Sequence, residues 1–73
     1  MNETVRDIVV RLVADIYLAI EEFGPSGVPS GHLYAVVMSI LNIDDYNAII
    51  EILTRSGRIT NKSNLLIAAK FTK

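Results

Sequence analysis

Residues Pro29 to Thr60, PSGHLYAVVMSILNIDDYNAIIEILTRSGRIT, hold two apolar periodicities separated by a short break, and how this stretch divides decides the fold. Leu33, Val36, Val37 and Ile40 recur at the three-to-four spacing that gathers side chains on one side of a helix. A helix is therefore expected over about 30–39, with Pro29 setting its approach and Ser30 as its cap. A second start signal is Asn42, whose side-chain oxygen can accept from exposed backbone N–H groups. Asp44 and Asp45 follow in the first turn, where the helix dipole favours negative charge. From there Ile43, Tyr46, Ile49, Ile50 and Leu53 form one apolar stripe, and Gly57 stands where a residue with positive φ would end the helix. The second helix is expected over about 43–56, which leaves only a tight corner around Ser39 to Leu41.

Outward toward the N-terminus, Val5, Ile8, Val9, Leu12, Val13, Ile16, Ala19, Ile20 and Phe23 fall on a broad common face of a helix over about 3–23. Asn2 or Thr4 can cap it. At about 100° per residue, Val10 and Tyr17 sit beside the apolar sector and Leu18 lies nearly opposite it. These three are surplus to a single core and read either as scattered surface residues or as a self-association strip, the expected dimer interface. Gly24 to Pro29, GPSGVP, stops the helix and turns the chain, and Val28 adds a very short strand.

Outward toward the C-terminus, Arg58 to Thr60 and Leu65 to Ala68 are short strand candidates around the turn-forming tetrad Asn61 to Asn64. The result is a hairpin over about 58–69. Ile59, Leu65 and Ile67 are expected to point at the helices, Lys62 to stand clear at the tip, and Lys70 to Lys73 to fray.

The 73 residues form one domain, 1–73, of mainly α character with a small β-hairpin. A chain of this length buries only about 60% of the surface it exposes when unfolded, so association would help it. Apolar residues make up 51% of the sequence and are spread through it, which argues against disorder. No cysteine is present, which excludes disulfides and thiolate metal sites and fits a reducing cytoplasm; one His cannot build a zinc site. The longest uncharged stretch, Phe23 to Ile43, is broken by Gly24, Pro25, Gly27, Pro29 and Gly31, so neither a signal peptide nor a membrane span is read. Net charge is −1, but residues 1–33 hold two Lys/Arg against five Asp/Glu (−3) and residues 34–73 hold five against three (+2). The basic side chains thus collect after the second short helix.

Long helix, two-residue strand, helix, corner, helix and hairpin is the order of a winged helix-turn-helix. The phrases VPSGHLYAVVM, LNIDDYNAIIEILTRSGRIT and NLLIAA resemble that fold across nearly the whole chain. More narrowly, the chain resembles the small winged-helix proteins of bacterial genomes and prophages. In these a proline-serine-glycine opening precedes the first motif helix and an acidic-aromatic pair begins the second. The resemblance implies a three-helix winged helix-turn-helix in which the second motif helix enters the DNA major groove and the wing touches the adjacent backbone or minor groove. Winged helices also serve as protein-binding modules.

The residues expected to face DNA are Ser30, His32, Asn47, Glu51, Thr54, Arg55, Arg58 and Lys62. Asn47 and Arg55 can read adenine and guanine edges, whereas Arg58 and Lys62 suit phosphates. Asp44, Asp45 and Glu51 oppose this by placing negative charge where phosphates would approach. Ser30, Gly31 and His32 form either an anion site at a helix N-terminus or a simple cap. His32 has no partnered carboxylate or serine and reads as a surface or packing residue; Tyr34 and Tyr46 read as core-edge residues with a wet hydroxyl. Gly57-Arg58 lacks the glycine-rich surroundings of a phosphate loop. No nucleophile–base pair is visible, so no enzyme, cofactor or metal is expected. The reading is a cytoplasmic DNA-binding transcriptional regulator, acting as a homodimer on double-stranded DNA, with a protein-association module as the alternative.

Overall fold

The computed structural model describes residues 3–72, with side chains from Asp7 onward, so Asn2 and the Thr4 side chain, the two candidate caps of the first helix, lie outside the described residues. The order is α1 (Glu3–Glu22), a 3-10 turn (Gly24–Ser26), β1 (Val28–Pro29), α2 (Ser30–Val37), α3 (Ile43–Arg55), β2 (Ile59–Lys62), β3 (Leu65–Ala68) and a final 3-10 turn (Ala69–Phe71). The strands form one antiparallel sheet in the order β1-β3-β2. This is a three-helix winged helix-turn-helix, with the β2–β3 hairpin as its wing.

α3 is the best-defined element, because both of its ends satisfy their orphan backbone groups. Asn42 Oδ1 accepts from the Asp45 amide at 2.8 Å, the expected cap. At the other end Gly57 adopts φ 79°, the Gly57 amide donates to the Thr54 carbonyl and the Arg58 amide to the Leu53 carbonyl. That pair of bonds is the Schellman arrangement, which only a left-handed residue at this position allows. Tyr46, Ile49, Ile50 and Leu53 are buried along the inner face, but Ile43, expected among them, is exposed in the first turn.

α2 differs from its expectation in three respects. Ser30 is its first residue and not its cap; Pro29 holds the cap position, and no side chain caps the helix. The Ser30 hydroxyl lies 3.0 Å from the Tyr46 hydroxyl, and Tyr46 also donates to the Ser30 carbonyl at 3.1 Å. The helix ends at Val37, so the corner runs from Met38 to Asn42, closed by the Ile40 and Leu41 amides on the Val37 carbonyl. This early stop moves Ile40 off the apolar stripe, to 67% exposure, and turns Leu41 inward, to 7%. Val36 is exposed as well, leaving Leu33 as the buried residue of α2 with Val37 packed beside it.

The wing is tighter than the tetrad suggested. Asn61 and Lys62 belong to β2, and the turn is Ser63-Asn64, both with positive φ (52° and 68°), the backbone of a two-residue type I′ hairpin. A two-residue loop fixes the register, pairing Ile59 with Ala68 and Asn61 with Leu66. Ile59, Leu66 and Ala68 therefore face the core, while Leu65 and Ile67, expected to point at the helices, lie on the other face and are half-buried. Gly27 explains what covers that face: at φ 74° it lies so close that an added Cβ would stand 2.6 Å from Ile67 Cγ1 and 2.8 Å from the Leu66 carbonyl oxygen.

Three further contacts tie down the ends of the sheet and the tail. The Ser30 amide donates to the Asn64 carbonyl at 2.7 Å, anchoring the wing turn to the start of α2. The tail, expected to fray, is held as far as Thr72: the Ala69 amide donates to the Arg58 carbonyl at 2.8 Å, and Lys70 pairs with Glu21 of α1 at 3.3 Å. The core gathers Ile16 and Ile20 of α1, Val28, Leu33, Leu41, the α3 stripe, Ile59 and Leu66 into one cluster. Among the described residues no polar or charged residue is buried within it.

Candidate nucleic-acid interface

Helical geometry sorts the side chains of α3 before any partner is considered. With Tyr46, Ile49, Ile50 and Leu53 directed inward, the spacing places Asn47, Glu51, Thr54 and Arg55 along one outer flank, with Asp44 beside them. Asp45, Ala48 and Ile52 fall on the other flank, where Val9 and Leu12 of α1 approach. The outer flank joins the wing directly, because the Gly57 turn carries the chain from Arg55 into Arg58 and β2. Four of the eight residues expected at DNA, Asn47, Glu51, Thr54 and Arg55, therefore share that flank, whereas Arg58 lines a groove beside α1.

Several of these side chains have internal partners. Arg55 holds Glu51 at 2.8 Å, an i,i+4 pair in which both side chains are well exposed. Such a pair lowers the charge the helix presents, although at this exposure it is weak enough to open. The Thr54 hydroxyl donates to the Ile50 carbonyl at 2.7 Å, the back-bonding geometry of a hydroxyl within a helix, so a base contact by Thr54 requires that bond to break. Asn47, Arg58 and Lys62 are exposed, and none of the hydrogen bonds or ion pairs among the described side chains engages them.

The start of α2 is built for packing. The Ser30 amide is taken by Asn64 and the Ser30 hydroxyl by Tyr46, so two groups of the expected anion site already have protein partners. His32 is exposed and meets the Phe23 ring edge-to-face at a centroid distance of 6.2 Å. The Tyr46 hydroxyl, expected to be wet, is enclosed with Ser30, and its ring tilts against Tyr34 at 5.1 Å. Burial raises the Tyr46 pKa above the ordinary 10.0 by disfavouring the phenolate, and the Ser30 hydrogen bond works in the opposite direction.

A second surface lies on the far side of α3. An open groove of about 450 Å³ runs between α1 and the end of α3, with Val10, Val13, Ala14, Tyr17 and Leu18 on one wall and Leu53 and Arg58 on the other. A smaller one of about 230 Å³ separates Val9 and Leu12 from Leu41, Ala48 and Ile52. Of the broad apolar face expected for α1, Ile16 and Ile20 are buried with Leu12, Val13 and Ala19 packed beside them, Ile8, Val9 and Phe23 are exposed, and the Val5 side chain lies outside the described residues. Val10 and Leu18 are exposed as expected, whereas Tyr17, expected to be surplus with them, is half-buried and packs against the core; the exposure of Ile8 and Val9 depends on how far α1 runs past its neighbours.

No family model, curated protein or solved structure matches the chain. Among the described residues no group of three or more His, Cys, Asp or Glu comes together, and no helix is long and apolar enough to cross a membrane.

Proposed function

We propose that the chain is a winged-helix DNA-binding protein, a small cytoplasmic transcriptional regulator of the kind found in bacterial and phage genomes. The outer flank of α3 lies in the major groove, with Asn47 and Arg55 toward base edges, while Arg58 and Lys62 contact the backbone. The observation that carries this reading is that the outer flank of α3 bears the exposed Asn47 and Arg55, and that the Gly57 turn leads directly from that helix into the strand that ends at Lys62. The test is titration of mixed-sequence duplex DNA at two salt concentrations. Log affinity is expected to fall with log salt by about 0.9 per neutralised phosphate, and Lys62→Ala to reduce the slope by about one unit for all sequences alike. A salt-independent or undetectable interaction at low salt ends the proposal.

The second reading is a protein-association module. It is favoured by Asp44, Asp45 and Glu51 on α3, which repel a polyanion, and by the Arg55–Glu51 pair that neutralises one of the cations. Under it the same duplex titration gives no binding.

A further inference from the structure

The groove between α1 and the end of α3 has a floor, a rim and a single charge. Leu53, which is buried, and the half-buried Val13 and Tyr17 form the floor, while the exposed Val10 and Leu18 stand at the rim. Its volume of about 450 Å³ falls within the roughly 300–1,000 Å³ of clefts that hold small organic ligands. Val10 and Leu18 are eight residues apart, so the groove follows α1 for about 12 Å. Such a shape suits an elongated apolar body.

The charge is Arg58. No acidic side chain shares the lining. Among the described residues the ion pairs are Arg55–Glu51 and Lys70–Glu21, and neither engages Arg58. Its backbone is held from both directions: the Arg58 amide donates to the carbonyl of Leu53, itself part of the floor, at 3.1 Å, and the Arg58 carbonyl accepts from the Ala69 amide at 2.8 Å. The guanidinium therefore springs from a fixed point beside the cleft. Its forked N–H donors match a planar carboxylate, which can take two of them at once. A cation without a counter-charge rejects cationic ligands, and one cation alone over an apolar floor is a poor match for a polyphosphate or a sugar, whose many polar groups would lose water without replacement.

We propose that this groove binds an amphipathic monocarboxylate, with its elongated apolar body along α1 over Leu53 and Val13 and its carboxylate on Arg58. The same guanidinium is the one assigned to phosphate in the DNA reading. The ligand site is tested on the protein without nucleic acid, so the two readings stand or fall separately.

The test is calorimetric titration of the full chain with sodium decanoate below its micellar concentration, beside decanol, which has the same tail and no charge. Decanoate is expected to saturate at one per chain and to bind at least about tenfold more tightly than decanol, the usual margin of a hydrogen-bonded ion pair. Arg58→Gln is expected to lower decanoate affinity to the level of decanol and to leave decanol unchanged. Ala14→Phe, which fills the groove from an exposed position on α1, is expected to weaken both. Circular dichroism checks that each variant is folded, and the decanol comparison needs no substitution at all. The proposal is overturned if decanoate shows no saturable binding, if decanol binds as tightly, or if folded Arg58→Gln or Ala14→Phe binds decanoate like the parent. A groove filled by a second copy of the chain would appear as a dimer that takes up no decanoate, which overturns it as well.

Discussion

α3 and the first half of α1 have stripes of the same kind, large aliphatic residues at three-to-four spacing, yet only one of them is core. Tyr46, Ile49, Ile50 and Leu53 are enclosed by the sheet, by α2 and by the second half of α1, whereas Ile8, Val9 and Val10 stand in solvent. The difference lies in what each stripe meets. α3 lies between short elements whose turns are fixed on both sides by the Asn42 cap and the Gly57 turn. α1, at 20 residues, spans about 30 Å and outruns everything it packs against. The longest extent of the molecule, 37 Å against 23 and 18 Å, follows from that overrun. Periodicity thus establishes that a face is apolar, but the length of its neighbours decides whether the face is covered.

The sharpest way to break this comparison is to make the same kind of truncation on both stripes. Leu53→Ala removes a side chain that is 1% exposed and leaves a cavity, with an expected loss of about 2–5 kcal/mol. For a domain whose whole stability is roughly 4–11 kcal/mol, thermal denaturation should then begin near room temperature. Val10→Ala, measured in dilute solution, should change stability by no more than about 0.5 kcal/mol. Equal losses at the two positions would mean that the α1 stripe is enclosed like that of α3.

The same contrast explains how much of the molecule could be read from its residues. The element order, the Asn42 cap, the positive φ at Gly57 and the burial of four α3 residues follow from local chemistry, and local chemistry is written in the sequence. What went astray depended on distant partners. The inward face of β3 is not legible in its residues because the alternation is ambiguous: Leu65, Leu66, Ile67 and Ala68 are all apolar, so only the two-residue Ser63-Asn64 turn decides which pair faces the core. Ser30 resembled a cap, but its hydroxyl had a better partner in Tyr46, sixteen residues away. Of the candidate DNA-facing set, the placement of α3 and the wing was readable. The engagement of Thr54 with Ile50, and of Arg55 with Glu51, depends on rotamers that no spacing rule specifies.

Tyr46 offers a test of intermediate size, because it is the point where the inner face of α3 binds the start of α2. Tyr46→Phe keeps the ring against Tyr34 and deletes the hydroxyl, with an expected cost of about 0.5–1.5 kcal/mol at neutral pH. Its pH dependence is more specific. The folded pKa is raised above 10.0 chiefly by burial, so folding favours the neutral phenol. That contribution is complete below the unfolded value near 10 and is lost as pH rises through the folded value. Alkaline melting curves of the parent should therefore fall more steeply above pH about 10 than those of Tyr46→Phe. Parallel curves would show that the hydroxyl is solvated and that α2 is not tied to α3 through Ser30.

The smallest expected effect on stability falls on the outer flank of α3, and it carries the most functional information. Glu51→Gln removes the carboxylate that holds Arg55 while keeping the side chain's length and helix propensity. Both groups are well exposed, so the lost i,i+4 pair should cost only about 0.3–0.5 kcal/mol, and the fold should be unaffected. The substitution nevertheless raises the charge of that flank by one unit and frees the guanidinium. If the flank enters a major groove, duplex affinity should increase. An Arg55 that turns to a phosphate should also steepen the salt dependence by about 0.9, whereas one that reaches a guanine should sharpen site preference. Arg55→Ala in the Glu51→Gln background should then erase the gain. If instead the parent binds DNA and Glu51→Gln binds it no more tightly, the outer flank of α3 is not the DNA surface. The wing cations Arg58 and Lys62 would then be left to act without it.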